Sequence, residues 1–230
     1  MCLAYVCGQT RRKYNRRGKR NCCGINSKGH GPPDFDQTAR TRGNANDFNG
    51  GKVAMKQFAL SRVYQLLEPG PVVLLTTIRR GNANVMTMSW HTMVEFEPPQ
   101  IACVVSNTNY SFRGLCAARE CVIAVPGSHL ASLVVKIGNS SGSDTDKFTT
   151  FELTKVPSAR VAPPLIKECF ANLECKVTDT RFVNKYNIFI LEVLKAWINP
   201  AQKNRRTLHH RGYGTFIVDG EIIKLKSRMR

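Results

Sequence analysis

Residues 106–111 form an unbroken polar cluster directly before an apolar segment with helical spacing, residues 112–119. Asn109 or Ser111 is a suitable N-cap for that helix. The first backbone N–H groups of a helix have no intrahelical acceptor, so a helix start surrounded by hydroxyl groups can hold a phosphate. Helix capping alone accounts for the presence of one of the six polar residues. It accounts less well for six polar residues in a row. The cluster therefore predicts an anion site, with simple capping as the alternative.

A second polar row lies in the stretch 81–99. Residues 81–84 have the composition of a turn, and the residues alternate from Val85 onward as in a strand with one apolar face. The face with small and polar side chains would carry Val85, Thr87, Ser89 and His91. Such a face suits a flat ligand with polar edges, and the alternative is a solvated outer face. Pro98 and Pro99 cannot donate backbone hydrogen bonds, so they should end the strand.

A polar loop over residues 139–148 adds one lysine, Lys147, at a position from which it can reach an anion. The loop follows a predicted helix over 128–137 that Gly138 should end. A solvated loop without a ligand is the alternative interpretation.

The elements that must position these side chains are mostly short strands. Strands are predicted at residues 72–78, 85–92, 100–106, 121–125, 156–161, 171–178, 188–197 and 215–225. The last strand contains Asp219-Gly220, a two-residue hairpin signal. Helices are predicted at 58–67, 112–119 and 128–137. Many short strands with few helices indicate a mainly β fold, a closed or partly open β-barrel.

The charge of the chain is strongly positive, +18 over 230 residues. Residues 1–54 hold eleven Lys and Arg against three Asp, which is +8 of that total. This segment lacks apolar periodicity, so we expect a basic disordered extension, and we favour an over-extended gene start. A nucleic-acid-binding protein is a distant alternative, because the barrel lacks the interleaved surface aromatics that stack bases.

Other classes of site find little support in the sequence. Cys2, Cys7, Cys22, Cys23 and His30 match no paired zinc spacing, so we expect no metal site. The chain has no GxGxxG or P-loop motif, which argues against nucleotide triphosphatases. We expect the remaining cysteines to be buried thiols in a reducing compartment, and we find no secretory or transmembrane segment, so we expect a cytoplasmic protein.

Five segments occur in an order that is typical of one family: Asn84 to Trp90 (NVMTMSW), Pro98-Pro99, Ser106, Asn109-Tyr110-Ser111 and Asp146-Lys147-Phe148. With these segments, residues 55–230 resemble the flavin reductase-like family, and within it the flavoredoxin group. The resemblance leaves out residues 1–54. It implies an FMN-binding split β-barrel that forms a homodimer, with FMN rather than FAD bound between the subunits.

The resemblance also implies roles for individual residues. The isoalloxazine and ribityl chain would be lined by Asn84, Met86, Thr87, Ser89 and Trp90. The ribityl phosphate would be held by Ser106, Tyr110, Ser111 and Lys147, which agrees with the anion site predicted at the helix start.

The implied function is an oxidoreductase that transfers electrons from NAD(P)H through bound flavin to an acceptor. An FMN-carrying electron-transfer protein without its own NAD(P)H site is the alternative. No catalytic triad is needed, because the flavin supplies the redox chemistry. Among the histidines His91, His129, His209 and His210, the best candidate for a proton donor is His91, which is adjacent to Trp90. Arg211 or Tyr213 could reach the flavin or the nicotinamide.

Overall fold

A seven-stranded antiparallel sheet dominates the computed structural model, which describes residues 70–223. Its strands are β1 (Val73–Arg79), β2 (Asn82–Met88), β3 (His91–Phe96), β4 (Pro99–Val104), β5 (Glu120–Val125), β8 (Ala171–Asp179) and β9 (Ile188–Ile198). Two smaller pairs are β6 (Lys155–Val156) with β7 (Leu165–Ile166) and β10 (Leu208–Gly212) with β11 (Thr215–Val218). The helices are α1 (Tyr110–Ala118), α2 (Ala131–Gly138), α3 (Lys147–Thr150) and α4 (Val183–Tyr186). The predicted mainly β fold is confirmed, whereas the predicted extension 1–54 and helix 58–67 lie outside the described residues.

The sheet curls on itself, as its connections require. The strand order β2-β1-β5-β8-β9-β4-β3 puts β2 and β3 at opposite edges, yet only Ser89 and Trp90 connect them. In a flat sheet with strands about 4.8 Å apart, the two edges would be about 29 Å apart. A two-residue link spans at most about 11 Å between the strand ends. The edges must therefore approach each other, which produces the partly open barrel.

The stretch 81–99 differs from its prediction in two places. The β1–β2 hairpin turns at Arg80 and Gly81, with φ of 52° and 80°, a pair of positive φ values that matches the twist of the flanking strands. The predicted hairpin bend is therefore confirmed, but β2 begins at Asn82 rather than at Val85. The predicted single strand through 85–92 is also wrong, because β2 pairs with β1 whereas β3, which begins at His91, pairs with β4.

Strands β1 and β2 are buried on both faces. Leu75, Met86 and Met88 belong to a core inside the barrel, and Leu74 and Val85 belong to a second core that α2 and α3 cover. The face of β2 that carries Thr87 therefore packs against α2 and is not solvated. Thr87 Oγ1 donates a 2.7 Å hydrogen bond to the carbonyl of Val134 in α2, which satisfies this buried hydroxyl.

Two predictions on the later strands are corrected. Residues 156–161 form no long strand, since β6 ends at Val156 and the following loop gives its backbone N–H groups at Ala159 and Arg160 to the buried carboxylate of Glu174. The hairpin of β10 and β11 turns at residues 213–214 rather than at Asp219-Gly220. Asp219 instead accepts a hydrogen bond from the backbone of Thr207.

The predicted helix over 128–137 begins as a 3₁₀ turn at Ser128–Leu130 and continues as α2, which includes Gly138 and ends against Asn139. Of the five cysteines predicted to be buried, Cys103, Cys121, Cys169 and Cys175 are buried, whereas Cys116 is half-buried. Within residues 70–223, no helix has the length and apolar character needed to cross a membrane.

Candidate functional site

A cavity of about 220 Å³ lies where β2, the start of α1, the end of α2 and the loop before α3 meet. It is lined by Asn84, Met86, Thr87, Thr108, Asn109, Tyr110, Ser111, Ile137, Gly138, Ser140, Ser141, Gly142 and Lys147. The structure thus brings the strand, the polar cluster and the polar loop of the sequence to one place. Most side chains in this lining carry hydroxyl, amide or amino groups, so the cavity suits a ligand with a charged or polar end.

Asn84 and Ser111 form the best-defined contact in the cavity. Asn84 Nδ2 donates a hydrogen bond of 2.7 Å to Ser111 Oγ, and both residues are buried. This bond uses an acceptor lone pair of the hydroxyl and leaves the hydroxyl proton to be donated. Within residues 70–223, that proton has no hydrogen-bond acceptor. Asn84 therefore orients Ser111 as a donor toward the cavity.

Asn109 supplies a second donor. It is the N-cap residue of α1, but its side chain makes no capping hydrogen bond. Its Nδ2 is buried and has no hydrogen-bond partner among the described residues, which costs about 1–3 kcal/mol unless a ligand satisfies the group. The first backbone N–H groups of α1 lie at this N-terminal end of the helix, next to Asn109. The helix dipole also favours an anion there.

Lys147 places a positive charge in the lining. Its side chain is buried, and Nζ donates a 3.0 Å hydrogen bond to the carbonyl of Ile137 near the end of α2. A cation at a helix C-terminus is favourable, so α2 holds the ammonium group in position. Asp146 fixes the backbone that carries Lys147. Its carboxylate accepts hydrogen bonds from the backbone N–H groups of Phe148 and Thr149 and so caps α3.

Gly142 brings the loop against the strand. A Cβ atom built on Gly142 would collide with the Asn84 side chain and would lie 2.7 Å from Cδ1 of Tyr110. Only a residue without a side chain can take this position without moving its neighbours. The contact packs the loop against Asn84, whose side chain binds Ser111.

Six of the residues that the sequence assigns to the cofactor line this cavity: Asn84, Met86, Thr87, Tyr110, Ser111 and Lys147. The other three lie outside the lining. Ser89 is buried and its Oγ has no hydrogen-bond partner among the described residues. Trp90 accepts a backbone hydrogen bond from Val104, and the Ser106 hydroxyl lies 2.8 Å from that of Thr108.

The candidate histidine is held away from this cavity. His91 Nε2 is 2.7 Å from the carbonyl oxygen of Pro71. Burial lowers the pKa of His91, the hydrogen bond to Pro71 opposes that effect, and nearby His209 lowers the pKa further. His209 contacts the Thr207 hydroxyl at 3.0 Å, and His210 is buried against the ring of Phe216. Within the described chain, no histidine lines the cavity.

Seven lining residues are not among those that the sequence assigns to the cofactor. Five of them lie between Ile137 and Gly142, and the other two are Thr108 and Asn109. The sequence predicts an anion site in the cluster 106–111 and in the polar loop 139–148. Both segments are far from β2 along the chain, so their contact with β2 could not be predicted. The run Ser140-Ser141-Gly142 close to Lys147 was the available signal, because small hydroxyl residues with glycine allow close approach to an anion.

Comparisons with known proteins identify the family to which this fold belongs. Residues 66–216 match the flavin reductase like domain. The uncharacterized protein YddH of Escherichia coli strain K12 is 30% identical over 179 residues, which cover 71% of this chain and 94% of that protein. An FMN-binding domain of a flavin reductases-like enzyme from Shewanella baltica OS155 has a TM-score of 0.64 at 26% identity, over 74% of this chain and 96% of that one.

The flavoredoxin of Desulfovibrio vulgaris (Miyazaki F) has a TM-score of 0.66 at 22% identity, over 74% of this chain and 97% of that one. The curled sheet described above is the split β-barrel fold that these two proteins share. The match to the family covers the barrel from before β1 to β11. The chain therefore belongs to the flavin reductase-like family.

Proposed function

We propose that this chain is an FMN-binding oxidoreductase that transfers electrons from NAD(P)H to an acceptor. The observation that carries the proposal is the set of hydrogen-bond donors in one cavity: the buried Nδ2 of Asn109, the oriented hydroxyl of Ser111 and the ammonium group of Lys147. Such a set fits the dianionic phosphate of FMN, because charge-assisted hydrogen bonds are the strong ones.

The ribityl phosphate is held at the start of α1 in this proposal. Ser111 and Asn109 donate to its oxygens, Lys147 balances its charge, and Tyr110 lines the same end of the cavity. The backbone N–H groups at the α1 terminus add donors without further side chains. Ser106 keeps the phosphate role that the family resemblance gives it, acting beside Thr108.

The ring end of the flavin lies along β2 and the link to β3. Asn84, Met86 and Thr87 line the cavity, and the row continues to Ser89 and Trp90. The Oγ of Ser89, buried and without a hydrogen-bond partner among the described residues, supports a ligand group close to it. The apolar surface of Met86 and the backbone of β2 would orient the ring and exclude water from one face.

Bound FMN would supply the redox chemistry, which is the acceptance of a hydride from a nicotinamide. The protein has to hold the ring, keep one face accessible and tune its surroundings. The role of His91 as proton donor stays a prediction, because His91 does not line the cavity and its Nε2 contacts the carbonyl oxygen of Pro71. The electron-transfer protein without an NAD(P)H site is the second candidate, because no separate nucleotide motif is present in the sequence.

A homodimer would complete the site. The edge strand β3 exposes Met93 by 52%, Val94 by 51% and Phe96 by 84%. An exposed apolar edge strand is an aggregation hazard unless another surface covers it. We infer that a second copy covers β3 and meets the flavin that lies at the adjoining link. The buried thiols support a reducing, cytoplasmic location.

The test is a visible absorption spectrum of the purified full chain with FMN, followed by anaerobic addition of NADH and then of NADPH. Loss of the flavin bands with either nucleotide is the expected result. Bands that persist with both nucleotides but disappear with dithionite would replace the reductase by the electron carrier. Protein that takes up no FMN would contradict both.

A further inference from the structure

His91 is the first residue of β3, and its side chain crosses the opening between β2 and β3, the two edges of the sheet. Its Nε2 lies 2.7 Å from the carbonyl oxygen of Pro71. Pro71 is two residues before β1, and β1 pairs with β2. The side chain of His91 therefore ties the start of one edge strand to the strand beside the other edge. It spans the same opening that Ser89 and Trp90 cross as the covalent link between β2 and β3.

The partner of the imidazole determines where its hydrogen lies. A carbonyl oxygen can only accept, so Nε2 of His91 carries a hydrogen and donates it to Pro71. This holds for the neutral and for the protonated ring. Because that hydrogen is engaged with the main chain, the bond suits a residue that anchors the backbone.

The imidazole is also held by packing. A Cβ atom built on Gly70 would lie 2.7 Å from Cε1 and 3.1 Å from Nε2 of His91. The ring thus occupies the space that a side chain at residue 70 would need. The hydrogen bond and this contact fix the ring against the chain segment before β1.

The link between β2 and β3 depends on the same residue. The backbone N–H of His91 donates to the carbonyl of Ser89 over 3.2 Å, and the carbonyl of Trp90 accepts from Val104 over 3.0 Å. Ser89 Oγ is buried and has no hydrogen-bond partner among the described residues. A hydroxyl in so short a link can meet a ligand group accurately only if the link is held in one conformation. His91 holds it through both its backbone and its side chain.

We propose that His91 is a positioning residue for the flavin ring, because its hydrogen bond to Pro71 keeps the link in the conformation in which the Ser89 hydroxyl can bond to a polar edge of the ring. His91 does not line the cavity and acts through Ser89. The proposal rests on the proposed flavin-binding function and adds a residue that the ring depends on without touching it.

The test is equilibrium dialysis of the flavin-free full chain against riboflavin and against FMN, with three variants of His91. His91→Gln keeps an N–H donor on a side chain of similar reach, whereas His91→Ala and His91→Phe lack the donor. We expect the latter two to weaken both flavins by the same factor, about three- to tenfold, the loss of one hydrogen bond to the ring. His91→Gln should recover most of the affinity. His129→Ala removes an exposed histidine outside the cavity and is the matched control.

The visible absorption bands of bound flavin give a second readout, since they report the surroundings of the ring. They should shift in His91→Ala and return in His91→Gln. Gly70→Ala moves the imidazole without changing His91 and should act as His91→Ala does, whereas Gly220→Ala, which faces open space, should have no effect. Circular dichroism checks that each variant is folded, and Gly70→Ala decides the question if His91→Ala does not fold.

Unchanged riboflavin affinity and unchanged flavin bands in the folded variants would overturn the proposal. A loss confined to FMN would overturn it too, because the ring is common to both flavins. So would a His91→Phe protein that binds as tightly as His91→Gln, since the donor would then not matter. All three results leave flavin binding by the unaltered chain intact, whereas failure of the unaltered chain to bind either flavin would overturn the proposed function itself.

Discussion

The Ser111 hydroxyl offers the sharpest test of the phosphate site. Asn84 Nδ2 donates to Ser111 Oγ over 2.7 Å, so the hydroxyl must donate its own proton elsewhere. In Ser111→Ala this donor to the phosphate is lost. A hydrogen bond to a charged group contributes about 1.5–3 kcal/mol, so the Kd for FMN should rise about 10- to 150-fold. Riboflavin has no phosphate and should lose far less affinity.

The assay is equilibrium dialysis of FMN and of riboflavin against Ser111→Ala and against Ser132→Ala. Ser132 is an exposed position on α2 outside the cavity lining, so the second variant makes the same chemical change without touching the site. The reasoning is refuted if FMN and riboflavin lose affinity equally in Ser111→Ala, or if FMN affinity does not change. The ratio of the FMN affinity to the riboflavin affinity separates the contribution of the phosphate from that of the ring.

Three further changes follow from other parts of the structure. Burial raises the pKa of Glu174, but hydrogen bonds from backbone N–H groups and from the Trp197 indole outweigh burial and hold the pKa below the ordinary 4.5. A lowered pKa stabilises the fold above about pH 4.5. Glu174→Gln should therefore lower the free energy of unfolding by about 1–3 kcal/mol at pH 7, a difference that denaturant titrations should find shrinking as the pH falls below 4.5. Gly142→Ala should weaken FMN binding about tenfold by displacing the loop, whereas Gly220→Ala, which faces open space, should not, as dialysis can check. Phe96→Glu should shift the protein toward monomers in analytical ultracentrifugation, and an unchanged mass would argue against β3 as the dimer contact.

The sequence allowed the prediction of the β-rich fold and of the two chain segments that carry the site. Alternation and turn residues located β4, β5, β8 and β9 closely, because each strand has its own local apolar pattern. The break between β2 and β3 could not be predicted, since alternation continues through Ser89 and Trp90 while the pairing partner changes. Strand pairing is a property of the whole sheet and leaves no local signal.

Within the site, residue roles that depend on local composition could be predicted, whereas roles that depend on contacts with distant parts of the chain could not. The cluster before α1 and the lysine of the polar loop were identified from composition, and both line the cavity. The role of Gly142 could not be read from the chain, because it depends on Asn84 and Tyr110, which are far from it in sequence. The burial of Thr87 was also missed, since a hydroxyl on an alternating strand suggests solvent until a helix carbonyl is found beside it.

The most direct measurement of the central claim is gel filtration of the full chain after mixing with excess FMN, with the visible spectrum recorded across the protein peak. We expect one FMN to travel with each chain, and the Ser111→Ala protein to lose it under the same conditions. A protein peak without flavin absorption, from folded unaltered chain, would contradict the assignment of this cavity to FMN.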